Sequence, residues 1–224
     1  MVFSVKYISR FVLCLLFCSL GMRGQNHSHS ADGFVWSEIP DSVWQLMQGK
    51  SYCDNQYVGR KDLCYVRVLH CDHEGRTHSG EMVVSKKIAE RVVEIFRILY
   101  EEKYPIERMV LPDVYGADDE KQMQANNTSC FCYRKMTGGK MLSKHARGLA
   151  IDINPLYNPY CKVRRDGTRL VKPANAVPYC DRRKSFPYMV KRHDLAYKLF
   201  TERGFVWGGD WKSLKDYQHF ELKE

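Results

Sequence analysis

The chain has 224 residues, 44% of them hydrophobic, and a formal charge of +9 at neutral pH. That is one domain's worth of chain, long enough to bury a substantial core. Beyond the first 24 residues no stretch is apolar and long enough to cross a membrane, and no base-reading motif accompanies the basic excess, so nucleic acid is not an expected partner.

Residues 1–24 read as a signal peptide: Lys6 and Arg10 precede an apolar run over 11–20 that is too short for a comfortable span, and Gly21 or Gly24 offers a small residue for cleavage. An uncleaved anchor or a lipid on Cys18 is the alternative, although Phe17 makes a poor lipobox. The mature chain, residues 25–224, is then an exported single domain whose formal charge falls from +9 to +6 with the loss of Lys6, Arg10 and Arg23. It keeps seven cysteines: Cys53, Cys64, Cys71, Cys130, Cys132, Cys161 and Cys180. Export permits disulfides. Cys161 and Cys180 bracket a basic loop and are the favoured pair, Cys53 with Cys64 or Cys71 is the weaker one, and one thiol is left over.

After a polar leader over 25–35 containing His27 and His29, residues 41–48 suit a short helix that Gly49 stops. Residues 53–81 pattern as a hairpin, with a strand over 63–69 and a turn over 72–75. His70 and His73 flank that turn and are expected to see water; the role of His78 stays open. Ser85 is the expected cap of a helix over 86–103, in which Ile88, Val92, Ile95, Phe96 and Leu99 recur at helical spacing and Pro105 marks the end. A strand over 109–111 and a loop over the cleft at 114–124 follow. Asn126-Asn127-Thr128-Ser129 contains overlapping glycosylation sequons, meaningful only in a eukaryotic secretory pathway. Cys130 and Cys132 share one face of a strand, but no second ligand pair follows, so a metal site is not expected there. The Pro-, Tyr- and Arg-rich stretch 155–187 reads as a cleft wall without substrate residues. A second helix is expected over 189–203, with Leu195, Leu199 and Phe200 in the core and Gly204 as its stop. A last hairpin begins at residues 205–207 and turns at Gly208-Gly209; Trp207 and Trp211 are equally packing or substrate residues.

Two stretches carry chemistry. In residues 143–154, Leu149, Ile151 and Ile153 alternate with Ala150, Asp152 and Asn154, which reads as a strand with Asp152 on its cleft face. Gly148 lets His145 fold back toward Asp152. Near the end stand Asp216 and His219. His145, Asp152 and His219 make three N/O ligands, the set that holds a catalytic zinc with water in the fourth place. Asp216 is then the carboxylate that takes that water's proton and returns it. Phe220 would buttress His219, and Glu221 would accept a hydrogen bond from a ligating histidine.

The ordered motifs resemble those of the D-alanyl-D-alanine carboxypeptidase-like zinc peptidases, which include L-alanyl-D-glutamate endopeptidases. The pattern Ser-x-His-x-x-Gly-x-Ala-x-Asp falls on Ser143, His145, Gly148, Ala150 and Asp152. Trp-Gly-Gly-x-Trp falls on Trp207 to Trp211, and Asp-x-x-His-Phe on Asp216, His219 and Phe220. The stretches 126–134 and 154–160 resemble the family too, and the likeness covers roughly 78–222. It implies an α+β domain, a small antiparallel sheet with flanking helices and one zinc per chain in the cleft. It also implies hydrolysis of an amide bond in peptidoglycan stem peptides by a monomer of the cell envelope. Asp216 would act as general base, Arg134 would hold a substrate carboxylate or an oxyanion, and Ser143 would meet substrate. An anionic wall suits the basic surface. Some relatives carry Glu where this chain has Asp216; the Asp form leans toward the endopeptidases. Two other readings stand beside this one: a zinc-stabilised module that only binds, as the similar hedgehog signalling domain does, and a peptidase of some peptide outside the wall.

Overall fold

In the computed structural model, residues 32–135 and 141–223 are described. The expected signal peptide and the leader histidines His27 and His29 lie outside them.

The first sheet is antiparallel, with β1 (Val35–Ser37), β2 (Leu63–Cys71) and β3 (Thr77–Ser85) in that order. β2 and β3 form the expected hairpin. At its turn the Asp72 carboxylate accepts the backbone N–H groups of Glu74 and Arg76, each at 3.0 Å. α1 (Asp41–Met47) matches the first expected helix. α2 (Ala89–Glu101) lays Val92, Ile95, Phe96 and Leu99 on the sheet, all within 1% of full burial. It starts later than expected because Ser85 is still the last residue of β3; its hydroxyl accepts only the Lys87 N–H, at 3.3 Å, in the turn before the helix.

The expectation of one small sheet needs correcting, since the described residues form three, each of three antiparallel strands. β9 (His219–Leu222) is the middle strand of the second, between β4 (Ala150–Asp152) and β7 (Phe205–Trp207). β5 (Tyr160–Val163) is the middle strand of the third, between β6 (Arg169–Lys172) and β8 (Lys215–Asp216). α4 (Leu195–Glu202) is shorter than expected because Asp194 caps it, accepting the Tyr197 N–H at 2.8 Å. Phe200 of α4 meets Phe96 of α2 edge-on at 6.5 Å and stacks on Phe220 of β9 at 4.4 Å. Such pairs add about 0.5–1.5 kcal/mol each beyond the area they bury. Phe220 therefore pins β9 to the core. Its neighbours His219 and Glu221 alternate to the opposite face.

Residues 109–111 are not a strand. Met109 takes the Glu81 N–H on its carbonyl at 3.0 Å, and Val110 is held by the Asn127 amide, whose Oδ1 accepts the Val110 N–H at 2.9 Å. Between them, 114–124 hold a 3₁₀ turn and α3 (Asp119–Gln124). Asn126 and Asn127 are 1% and 0% exposed, so both sequon side chains serve as internal struts out of reach of a glycan. His70 is also buried, against expectation, and its Nδ1 donates to the Ile106 carbonyl at 2.8 Å. Among the described residues no helix is long and apolar enough to cross a membrane.

Candidate metal centre

His145 sits in a 3₁₀ turn (Lys144–Arg147) that Ser143 caps, its hydroxyl accepting the His145 N–H at 3.2 Å. Gly148 ends the turn at φ +64°, and a Cβ there would lie 2.6 Å from the Ser85 nitrogen. Glycine is required by conformation and by space together. β4 leaves that turn and pairs with β9 so that Asp152 lies directly opposite His219. Opposed residues in an antiparallel pair share a face. On its other edge Asp152 exchanges two backbone hydrogen bonds with Ser129, at 2.9 and 3.1 Å. The carboxylate is thus fixed from both sides.

The outer hydrogen bonds decide what the inner atoms offer. His145 Nδ1 lies 2.6 Å from the Cys130 carbonyl, which can only accept, so Nδ1 carries the proton and Nε2 keeps its lone pair. His219 Nε2 donates to Glu221 at 3.0 Å, which leaves Nδ1 as its inward atom. These two lone-pair nitrogens stand 3.1 Å apart, and the Asp152 oxygens lie 3.1 Å from one and 3.0 Å from the other. Three acceptors converging at hydrogen-bond distance need a cation between them. Ligand bonds of about 2.0–2.1 Å in a tetrahedron put neighbouring ligand atoms about 3.3 Å apart, so the set fits zinc. Without a metal a proton fills the role. Burial alone would lower the His219 pKa, but Asp152 and Glu221 outweigh it and hold it at about 10. Burial likewise works to raise Asp152, yet the two histidines hold it far below the ordinary carboxylate range. This is the one group of three or more such ligands among the described residues. Cys130 and Cys132 take no part in it.

The three candidate ligands line a cleft of about 420 Å³ together with Asp216, Arg134 and Trp211. Asp216 belongs to β8, in a different sheet from His219. A Cβ on Gly208 would meet the Asp216 carbonyl at 2.6 Å, so the first glycine of the Trp-Gly-Gly motif lets β8 approach this closely. Burial, with the negative charge of Asp152 nearby, raises the Asp216 pKa to about 6 even against the pull of His219. Arg134 pairs with Asp119 of α3 at 3.0 Å, and its Nε is buried with no hydrogen-bond partner among the described residues. Ser143 faces the same cleft. Trp211 lies 5.4 Å from the His219 ring, whereas Trp207 is buried and donates its indole N–H to the Tyr217 carbonyl at 2.8 Å. One tryptophan packs and the other lines the site.

The stretch 155–187 does form a cleft wall, as expected, and contributes Tyr160, Lys162 and Lys172, none of which was singled out from sequence. The alternation of Tyr160 and Lys162 across Cys161 was the available signal. The Cys161 and Cys180 sulfurs lie 3.3 Å apart, as neighbouring thiols. Cys53 is exposed while Cys64 and Cys71 are buried, and all three are free.

Residues 137–222 match the D-alanyl-D-alanine carboxypeptidase family. No curated protein matches the chain, and no solved structure does. The matched segment, with its buried His-Asp-His group, supports a peptidoglycan-related metallopeptidase in general. Arg134 and the Cys130 carbonyl that orients His145 lie just before the match begins. Residues 137–222, which contain all three candidate metal ligands and Asp216, are therefore the part of the chain that is similar to the D-alanyl-D-alanine carboxypeptidase family.

Proposed function

We propose that the protein is an exported, monomeric zinc peptidase that hydrolyses an amide bond in peptidoglycan stem peptides, as a D-Ala-D-Ala carboxypeptidase or an L-Ala-D-Glu endopeptidase. The observation that carries this reading is the convergence of three acceptor atoms from His145, Asp152 and His219 in the cleft that Asp216 also lines. His145, Asp152 and His219 would hold the ion, which when bound polarises a carbonyl and makes water more acidic.

The protein's own groups do the rest. Asp216 accepts a proton from the attacking water and delivers it to the departing amine, a role that suits a carboxylate whose pKa has been lifted to about 6. Arg134, oriented by Asp119, presents guanidinium hydrogens to a substrate carboxylate or to the oxygen that becomes charged. Ser143 is a substrate contact in this reading; its hydroxyl accepts the His145 N–H and keeps its own hydrogen to donate. Glu221 and the Cys130 carbonyl keep both histidine rings in the orientation that aims their lone pairs inward.

The test is a digest of purified peptidoglycan by the zinc-loaded protein, read by mass spectrometry beside a chelated sample. Loss of a terminal alanine identifies the carboxypeptidase, and release of a peptide beginning at D-Glu identifies the endopeptidase. No cleavage at full zinc occupancy would move the reading to a binding module.

A further inference from the structure

We propose that Tyr160, Lys162 and Lys172 form a subsite for a substrate carboxylate beside the scissile bond, and this rests on the peptidase reading above. β5 is the middle strand of its sheet, and its pairing sets Lys172, Tyr160 and Asp216 in one row across β6, β5 and β8. Residues in such a row share a face. Lys162, two residues after Tyr160, falls on that face as well. The cleft confirms the assignment, because all four residues line it. The opposite face is independently accounted for: Cys161 lies between Val171 and Lys215 in its own row, and its sulfur meets Cys180 of the 3₁₀ segment Ala174–Cys180.

The charges of the cleft then sort into used and unused. Asp119 is taken by Arg134, Asp152 by the two histidines, and Glu221 by His219. Lys162 and Lys172 have no ion-pair partner among the described residues, although both border the same cleft. They are diagonal neighbours across β5 and β6, since Lys162 opposes Leu170 and Lys172 opposes Tyr160. Diagonal positions on a sheet are within reach of long side chains. A carboxylate between them accepts from both ammonium groups and from the Tyr160 phenol, and relieves the repulsion of two like charges. The row ends at Asp216, which fixes the bound carboxylate next to the reacting amide. The substrate class that fits is a stem peptide cut between L-Ala and D-Glu, in which the free α-carboxylate of D-Glu adjoins the cleaved bond.

The test compares L-Ala-γ-D-Glu-L-Lys-D-Ala-D-Ala with the same peptide bearing an α-carboxamide on its glutamate. Binding is measured by calorimetry on zinc-loaded protein carrying Asp216→Asn to prevent turnover, and kcat/KM on zinc-loaded wild type. The free carboxylate should be preferred roughly tenfold, the size expected for charge-assisted bonds at a partly exposed site. Lys162→Ala with Lys172→Ala should bring the ratio close to one, whereas the two Lys→Arg changes should preserve it, which a purely structural role would not explain. Equal binding of the two peptides, or an undiminished ratio in the double alanine variant, overturns the proposal. Selective binding without cleavage of either peptide by wild type would instead sink the peptidase reading and leave the subsite standing.

Discussion

β2 and β3 run nine residues each and bury Leu63, Val66, Val68, Met82 and Val84 almost without polar company, whereas β4, β8 and β9 run two to four residues and enclose His145, Asp152, Gln218 and His219. The first region is held by apolar area under α2. The second is held by directional bonds: Asn158 alone donates to the carbonyls of Ile153, Asn154 and Tyr188 and accepts the Val190 N–H. The two are joined at a few points, the Ser85–Gly148 hydrogen bond of 2.9 Å among them. The long sheet is a platform, and the cleft is a set of short segments bolted to it where positions matter more than area. The family match covers the bolted part, yet His145 is oriented and Asp152 is clamped from residues before it.

Breaking each region alone sharpens the contrast. His219→Ala should abolish stoichiometric zinc and all peptidase activity while the far-ultraviolet spectrum is kept; metal analysis and the peptidoglycan digest check this. Phe96→Ala should do the reverse, costing about 3–5 kcal/mol in denaturant unfolding because a fully buried ring leaves a cavity, while the folded fraction still takes up one zinc. Gly148→Ala attacks the joint between the regions. The positive φ and the close Ser85 backbone should cost about 1–3 kcal/mol and lower zinc affinity together, read by thermal melts with and without metal. The smallest effect is in pH dependence. Asp216 must be ionised to accept a proton, so kcat/KM should fall as pH drops through its pKa, which lies at about 6 before a bound cation draws it down. An unchanged kcat/KM profile in Asp216→Asn would remove Asp216 from the role of base.

Much of the cleft was readable because its residues lie in two compact motifs. His145, Asp152 and His219 were grouped from the two motifs, and the structure brings the three together; Glu221 was expected to accept from a candidate ligand, and His219 Nε2 donates to it at 3.0 Å. The Cys130 carbonyl and the Ser129 bridge were not readable, since backbone atoms brought from afar leave no mark on side-chain pattern. The division into three sheets was hidden because strands of two to four residues are shorter than any periodicity can declare. Tyr160 and Lys162 did alternate, but Pro and Arg around them gave the stretch a loop's composition. The Asn126 and Asn127 side chains looked like surface sequons and turned out to be buried struts; sequence alone carries no sign of which side of the chain faces water there.

The central claim is that metal holding and proton transfer reside in different residues of one cleft. Asp216→Ala, assayed for bound zinc and for stem-peptide cleavage in the same preparation, tests it most directly. The account predicts one zinc per chain, as in the wild type, with cleavage slowed by about 10²–10⁴-fold. Wild-type cleavage at full zinc occupancy, or loss of the zinc with the carboxylate, would contradict it.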